Sequence, residues 1–231
     1  MAANAELADR SAYLPDADAL VCADLHLGRD AESNVELPMA EAERVPSRIE
    51  ALLDRFEPAE LVLAGDTLHS FDELPSSVAT SLSAIEDAAA AAAADLVYVA
   101  GNHDVLLPEV TELAVVDHHR LADGTVVVHG DELPAAGAER YLLGHEHPAI
   151  VIEGQRHPCY LEGPAADRDA SVLVLPAFNR LTRGTVVNGS RGADLATPLV
   201  DDVERYRPAV LDETADEALW FPPLGQLRPH L

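Results

Sequence analysis

The sequence predicts an α/β (α+β) fold in which mixed β-sheets are sandwiched by helices, and three observations predict it. From Ala19 to Val99, short apolar runs alternate with helical patterns, as in βαβ units. From Leu113 onward the strand candidates follow one another without long helical patterns between them. Several of the apolar runs end in a compact polar motif close to a glycine, and strand ends are where α/β sheets bind ligands. A chain of 231 residues can bury one sizeable core, and nothing in it resembles an inter-domain linker, so a single domain over residues 1–231 is expected.

After a nondescript start, Ala19 to Ala23 reads as a short apolar strand that delivers Asp24-Leu25-His26-Leu27-Gly28-Arg29. Asp24 and His26 are two apart, so in extended backbone they face the same way. Asp30 to Pro46 reads as irregular. Arg48 to Phe56 then reads as an amphipathic helix with Ile49, Leu52, Leu53 and Phe56 on one face. Glu60 to Ala64 is the next strand and ends in Gly65-Asp66-Thr67-Leu68-His69. Val78 to Ala94 reads as a helix, with Ser77 as its N-cap and a strongly helix-favouring alanine tract from Ala88 to Ala94. Leu96 to Val99 is a buried strand that empties into Gly101-Asn102-His103-Asp104, with Gly101 letting the backbone turn sharply. Leu113 to Val116 and Thr125 to Val128 follow, the latter ending at His129-Gly130-Asp131. Tyr141 to Leu143 ends at Gly144-His145-Glu146-His147-Pro148. Ala149 to Glu153, Cys159 to Glu162 and Ser171 to Leu175 are further strand candidates, and the polar stretch Gly184 to Asp194 reads as a loop. There is no internal repeat.

Composition bounds the setting. The chain carries 41 acidic and 15 basic residues, a net charge of −26, and every basic residue is arginine. At molar salt the Debye length falls to about 3 Å, so the self-repulsion of such a surface is screened, and a salt-loving cytoplasm is the expected compartment. A basic binding partner would call for clustered acid, whereas here it is scattered. Mean hydropathy is +0.01, no segment approaches a membrane span, and MAANAELADRSAYL lacks the basic region and apolar core of a signal peptide. Cys22 and Cys159, far apart in apolar segments, read as buried free thiols.

Five strand ends carry chemistry-bearing motifs: D-x-H at Asp24, G-D at Asp66, G-N-H-D at Asn102, H-G at His129 and G-H-x-H at His145. Each alone is weak, but five in succession behind apolar runs are hard to assign to chance. Carboxylate, amide and imidazole donors without thiolates suit divalent metals such as Mn, Fe or Zn, and the ligands are too many for one ion. Two ions roughly 3.5–4 Å apart, bridged by a carboxylate, can generate a hydroxide nucleophile near neutral pH and clamp a phosphoryl centre.

The five motifs, in this order, resemble those of the calcineurin-like metallophosphoesterase superfamily. DLHLGR, GDTLHS, GNHD, GHEHP and the later LPAF at Leu175 to Phe178 are similar to the archaeal SbcD-related, ICC-like phosphoesterases and the bacterial DNA ligase-associated phosphoesterases. The resemblance implies a four-layer αββα sandwich of two mixed β-sheets flanked by helices. It implies that Asp24, His26 and His147 hold one metal, that Asn102, His129 and His145 hold the other, and that Asp66 bridges them. The cofactor so implied is a pair of divalent ions, manganese first, with iron, zinc or nickel as alternatives. His103 would face the scissile phosphate, stabilising its charge or protonating the leaving oxygen. Asp104 joins the catalytic set by tuning or orienting that loop, with a turn-stabilising side chain as the structural alternative.

His69 marks a departure from phosphoprotein phosphatases, which carry an aspartate three residues after the bridging one. The G-D-x-x-H pattern appears in SbcD-type nucleases, where that histidine belongs to the active site, so the resemblance points towards phosphodiesters. A histidine that only orients a ligand is the alternative. Arg29, Arg180 and Arg183 are candidates for substrate contact, with surface ion pairing equally able to explain Arg29. His118 and His119 read as solvent-facing turn residues, and His157 and His230 lack motif context. The expected function is metal-dependent hydrolysis of a phosphodiester, nucleic acid or small molecule, by a nuclease or DNA-repair-associated phosphodiesterase, with DNA-repair proteins as partners and no membrane. The alternatives are a phosphomonoesterase or nucleotide phosphatase, and a non-catalytic scaffold like retromer's metallophosphoesterase-like subunit.

Overall fold

The computed structural model describes residues 4–29, 39–72, 74–166, 169–212 and 215–231. Two large mixed sheets pack face to face, and strands that are apolar on both faces explain why. In β3 (Ala19–Cys22), Leu20 and Cys22 point to one face while Ala19 and Val21 point to the other. In β4 (Glu60–Ala64), Leu61 and Leu63 oppose Val62 and Ala64 in the same way. One set meets two helices and the other meets the second sheet.

The first sheet has six strands in sequence order, β1 (Glu6–Ala8), β2 (Ser11–Leu14), β3, β4, β5 (Asp95–Val99) and β6 (Val115–Val116). β1 to β3 pair antiparallel, and β3 to β6 pair parallel. Helices α1 (Met39–Phe56) and α2 (Ser76–Ala91) cover its outer face through Ile49, Leu53, Leu82 and Ile85. The second sheet has seven strands, in the order β16 (Glu217–Trp220), β15 (Arg207–Asp212), β12 (Tyr160–Pro164), β13 (Ser171–Val174), β9 (Arg140–Leu143), β8 (Val126–Val128) and β7 (His119–Arg120). Its central strands β13, β9 and β8 are parallel. A small third sheet, β11 (Gln155–Pro158), β10 (Pro148–Ile152) and β14 (Thr185–Val186), stands beside it. The core between the large sheets includes Val62, Val99, Val127, Leu142, Tyr160 and Leu173. A one-turn helix, α3 (Leu107–Val110), follows β5.

The mixed-sheet architecture is the one expected, and several local readings need correction. β1 and β2 form a hairpin, whose two-residue turn Asp9-Arg10 holds both residues at positive φ, 40° and 65°, as a type I′ turn requires. Helix α1 starts at Met39, running straight through Pro46, where an irregular segment was expected; residues 30–38 of that segment lie outside the described residues. An interior proline costs about 3 kcal/mol, and burial of Val45, Ile49, Leu52 and Leu53 on one stripe offsets it. Helix α2 is capped by Pro75 without a side-chain bond, so Ser77 lies inside the helix, and the helix ends at Ala91. The 184–194 stretch contributes β14. The outer face of the second sheet is covered by the one-turn helix α4 (Leu224–Leu227), 3-10 turns and irregular chain that insert Val187, Leu199, Val203 and Tyr206, because this stretch lacks a helical repeat. Both cysteines are buried and free. Among the described residues no helix is long and apolar enough to cross a membrane.

The consequence for function is positional. β3, β4 and β5 run parallel and end together, and β8, β9 and β13 do the same in the facing sheet. Both sets of strands end in the motif loops.

Candidate metal centre

Backbone hydrogen bonds fasten the loops to one another before any side chain acts. The His26 N–H donates to the Asp66 carbonyl at 2.9 Å, the Leu27 N–H to Thr67 at 2.8 Å, and the His69 N–H returns to Leu27 at 3.0 Å. The Asp104 carboxylate, buried, accepts the N–H groups of Leu68 at 2.8 Å, Gly101 at 2.9 Å and Thr67 at 3.2 Å, tying the third loop to the second. The His103 N–H donates to Asp66 Oδ1 at 3.0 Å. From the other sheet, the His145 N–H sits 3.1 Å from each Asp24 carboxylate oxygen.

This convergence forces unusual backbone. Asp24, His26, Asp66, His145 and His147 all adopt the left-handed region, with φ between 43° and 64°. Such conformations cost of order 1–3 kcal/mol each and persist where surrounding structure over-determines them, as at ligand sites. Close approach also dictates glycine. A Cβ on Gly101 would lie 2.2 Å from the Asp66 N, and one on Gly144 would lie 2.4 Å from Asp24 Oδ2. Gly101 is therefore needed for the space it leaves to Asp66 rather than for a left-handed turn.

The side chains gather in two adjoining sets. Asp24, His26, Asp66 and His147 each offer a donor atom within 4.8 Å of the others. His147 Nε2 lies 3.1 Å from Asp24 Oδ1 and 3.4 Å from His26 Nε2. In the second set, His129 Nε2 lies 3.0 Å from Asn102 Oδ1, 3.0 Å from His145 Nδ1 and 3.4 Å from Asp66 Oδ1. One N–H satisfies one such neighbour, not three. Donors bound to a common ion at about 2.1 Å lie roughly 3.0–3.4 Å apart, so these spacings are those of ligand shells. Asp66 belongs to both sets.

Electrostatics agree. Burial pushes the Asp66 carboxyl up to about 8, against the favourable His103 N–H, and the nearby Asp24 carboxylate pushes the same way. Burial takes the His26 imidazole down to about 3 and lowers His129, holding both in the neutral, metal-binding form. Burial also opposes the Asp24 charge, yet His147, His129 and His26 beside it keep its carboxyl below the usual range; Asp24 in turn raises His147 against burial. Burial raises Asp104 to about 6 despite its three N–H donors. Divalent cations fit this set: the cluster can hold metal ions, and a cation beside Asp66 offsets the cost of a buried carboxylate that burial otherwise keeps protonated.

Around the cluster stand the remaining candidates. His103 Nδ1–H donates to the His69 carbonyl at 2.8 Å, because a carbonyl only accepts, and His103 Nε2 lies 3.8 Å from Asp66 Oδ2. The His69 ring stacks on His103 at 5.9 Å and meets His26 edge-on at 5.4 Å. Arg29 is close enough to depress the His147 imidazole. Arg180 forms an ion pair with Asp9 at 2.8 Å, and the Arg183 carbonyl accepts a bond from Arg156. His118 is exposed, whereas His119, expected in solvent, is half-buried against Glu60 at 2.7 Å.

Sequence reasoning missed the buttress behind the first loop. Asn179, directly after the LPAF run, is buried and donates to the carbonyls of Leu25 at 2.9 Å and His26 at 3.2 Å. Arg48 and Arg10 then hold the carbonyls of Phe178 and Asn179 at 2.8 and 3.1 Å. Burial opposes the charge on Asp9, and Arg48 and Arg180 hold its carboxyl below the usual range. The signal was available in one place: a short polar side chain closing the apolar run that follows β13. Asn179→Ala is expected to weaken Mn²⁺ binding about 10- to 100-fold while the protein stays folded, measured by calorimetric titration. Unchanged affinity would remove the buttress from the metal site.

No family model matches the chain, and no curated protein matches it. Among solved structures, the fold is similar to that of the nuclease MPE of Pseudomonas putida, with a TM-score of 0.65 at 23% identity over 93% of each chain. A match to YfcE, a phosphoesterase from E. coli, has a TM-score of 0.45 at 13% identity over 89% of this chain and 98% of that one.

Proposed function

We propose that the chain is a dinuclear metal-dependent phosphodiesterase of the calcineurin-like superfamily. One observation carries the reading: seven donor residues from five loops, remote in sequence, meet as two ligand-like sets that share Asp66. The fold likeness to a nuclease supports the same class of substrate. Asp24, His26 and His147 would hold one ion and Asn102, His129 and His145 the other, with Asp66 serving both. Divalent ions held there, manganese first, would supply Lewis acidity and would make water acidic enough to serve as the nucleophile.

The chain's own groups do the rest. His103 is oriented by its bond to the His69 carbonyl, which fixes the Nδ1 proton and turns Nε2 towards the cluster. Protonated, Nε2–H is placed to donate to the departing oxygen. His69 and Asp104 act as positioning residues, one through its carbonyl and ring, the other by pinning three backbone amides. Arg29, close enough to depress His147, is assigned to the substrate phosphate. Arg180, paired with Asp9, and Arg183, on the surface, are assigned to the outer parts of the substrate.

The acidity of the chain suits a saline cytoplasm, where the repulsion is screened. The test follows. Mn²⁺-loaded protein should cleave bis(p-nitrophenyl) phosphate faster than p-nitrophenyl phosphate, with activity lost on chelation and regained with metal, assayed from low to molar salt. Preference for the monoester would replace this reading with a phosphatase.

A further inference from the structure

We propose that Phe71 is a stacking platform for the ring of the substrate's leaving group, so that the site selects phosphodiesters of nucleosides or other aromatic alcohols. The proposal rests on the phosphodiesterase reading and adds a ring-binding subsite to it.

Phe71 is two residues beyond His69, on the loop that follows β4. Aromatic residues make up 4% of the chain, and a single exposed one signifies through its neighbours rather than through exposure alone. Phe71 is 48% exposed, and it is the one aromatic among the exposed large hydrophobic residues described. Its ring centroid lies 4.2 Å from that of His103, tilted by 32°. Val105, two residues after His103, is 67% exposed, so the two loops that carry His69 and His103 both present apolar side chains to solvent.

Position converts this surface into a subsite. A leaving oxygen within about 3 Å of His103 Nε2 brings its attached group alongside the His103 ring. The ring that already lies tilted against it is Phe71, whose exposed surface a planar group can cover. Phenylalanine offers no hydrogen bond, so the chemistry selects a flat ring rather than a particular base. Charge strengthens the inference. A chain of net charge −26 gains little from phosphate-backbone attraction, whereas stacking persists at molar salt.

Calorimetric titration of protein equilibrated with excess Mn²⁺ tests it, using thymidine 5′-monophosphate and 2-deoxyribose 5-phosphate, which differ by the ring. The wild type should bind the nucleotide about 5- to 100-fold more tightly. The gap should close to about twofold in Phe71→Ala and persist in Phe71→Trp; at so exposed a position both variants should melt with the wild type. Equal affinity of the wild type for the two probes, no measurable affinity for either, or a gap that survives in Phe71→Ala overturns the platform. Failure of the phosphodiesterase reading is distinguishable, since it appears as no Mn²⁺-dependent cleavage of bis(p-nitrophenyl) phosphate, an assay independent of these titrations.

Discussion

Asp66→Asn should abolish Mn²⁺-dependent phosphodiesterase activity, lowering kcat/KM by about a thousandfold or more, without unfolding the protein. The amide has the shape of the carboxylate and keeps an oxygen for the His103 N–H, so the loop geometry survives. What is lost is the charge that lies between the two donor sets, 3.4 Å from His129 Nε2 and 3.9 Å from His26 Nε2. A lost electrostatic contact of this kind costs about 10²–10³ in rate, and one that serves two cations costs more. Burial disfavours the Asp66 charge in the metal-free protein, so that form of the variant should be no less stable than the wild type. The measurement is thermal unfolding with and without Mn²⁺ alongside the kinetics. The wild type should gain stability with metal through linkage, and Asp66→Asn should gain little. Full activity in this variant would remove the shared carboxylate from the mechanism.

His103→Ala separates chemistry from metal binding. His103 has its Nδ1 fixed on the His69 carbonyl and Nε2 directed at the cluster, so its removal should leave Mn²⁺ affinity within about threefold while kcat falls about 10²- to 10⁴-fold. The size of the fall should depend on the leaving group. A nucleoside alkoxide needs a proton as it departs, and p-nitrophenolate scarcely does, so the deficit should be about tenfold or more larger for a dinucleotide than for bis(p-nitrophenyl) phosphate. Equal deficits would make His103 a stabiliser of phosphoryl charge rather than a proton donor.

The centre of the fold was legible where apolar runs were unbroken: Ala19 to Cys22 and Leu61 to Ala64 read as strands, and they are buried on both faces between helices and the second sheet. The motif residues were legible because metal-type donors followed those strands directly. Elements whose local chemistry contradicts their tertiary role were not legible. Pro46 argues for a helix boundary, yet the stripe from Val45 to Leu53 buries enough apolar surface to carry the helix through it. Pro208 lies within β15, and Glu217-Ala-Leu-Trp, rich in helix formers, is β16 because it pairs with β15. Asn179 showed itself only as a polar residue closing an apolar run, its carbonyl partners being set by folding, and Phe71 was illegible because a phenylalanine's exposure is set by folding too.

The proposed mechanism requires two cations sharing one carboxylate. Crystals grown with Mn²⁺ and measured at the manganese edge should show two anomalous peaks per chain, one among Asp24, His26 and His147 and one among Asn102, His129 and His145, with Asp66 touching both. A single peak, or peaks away from Asp66, would contradict it.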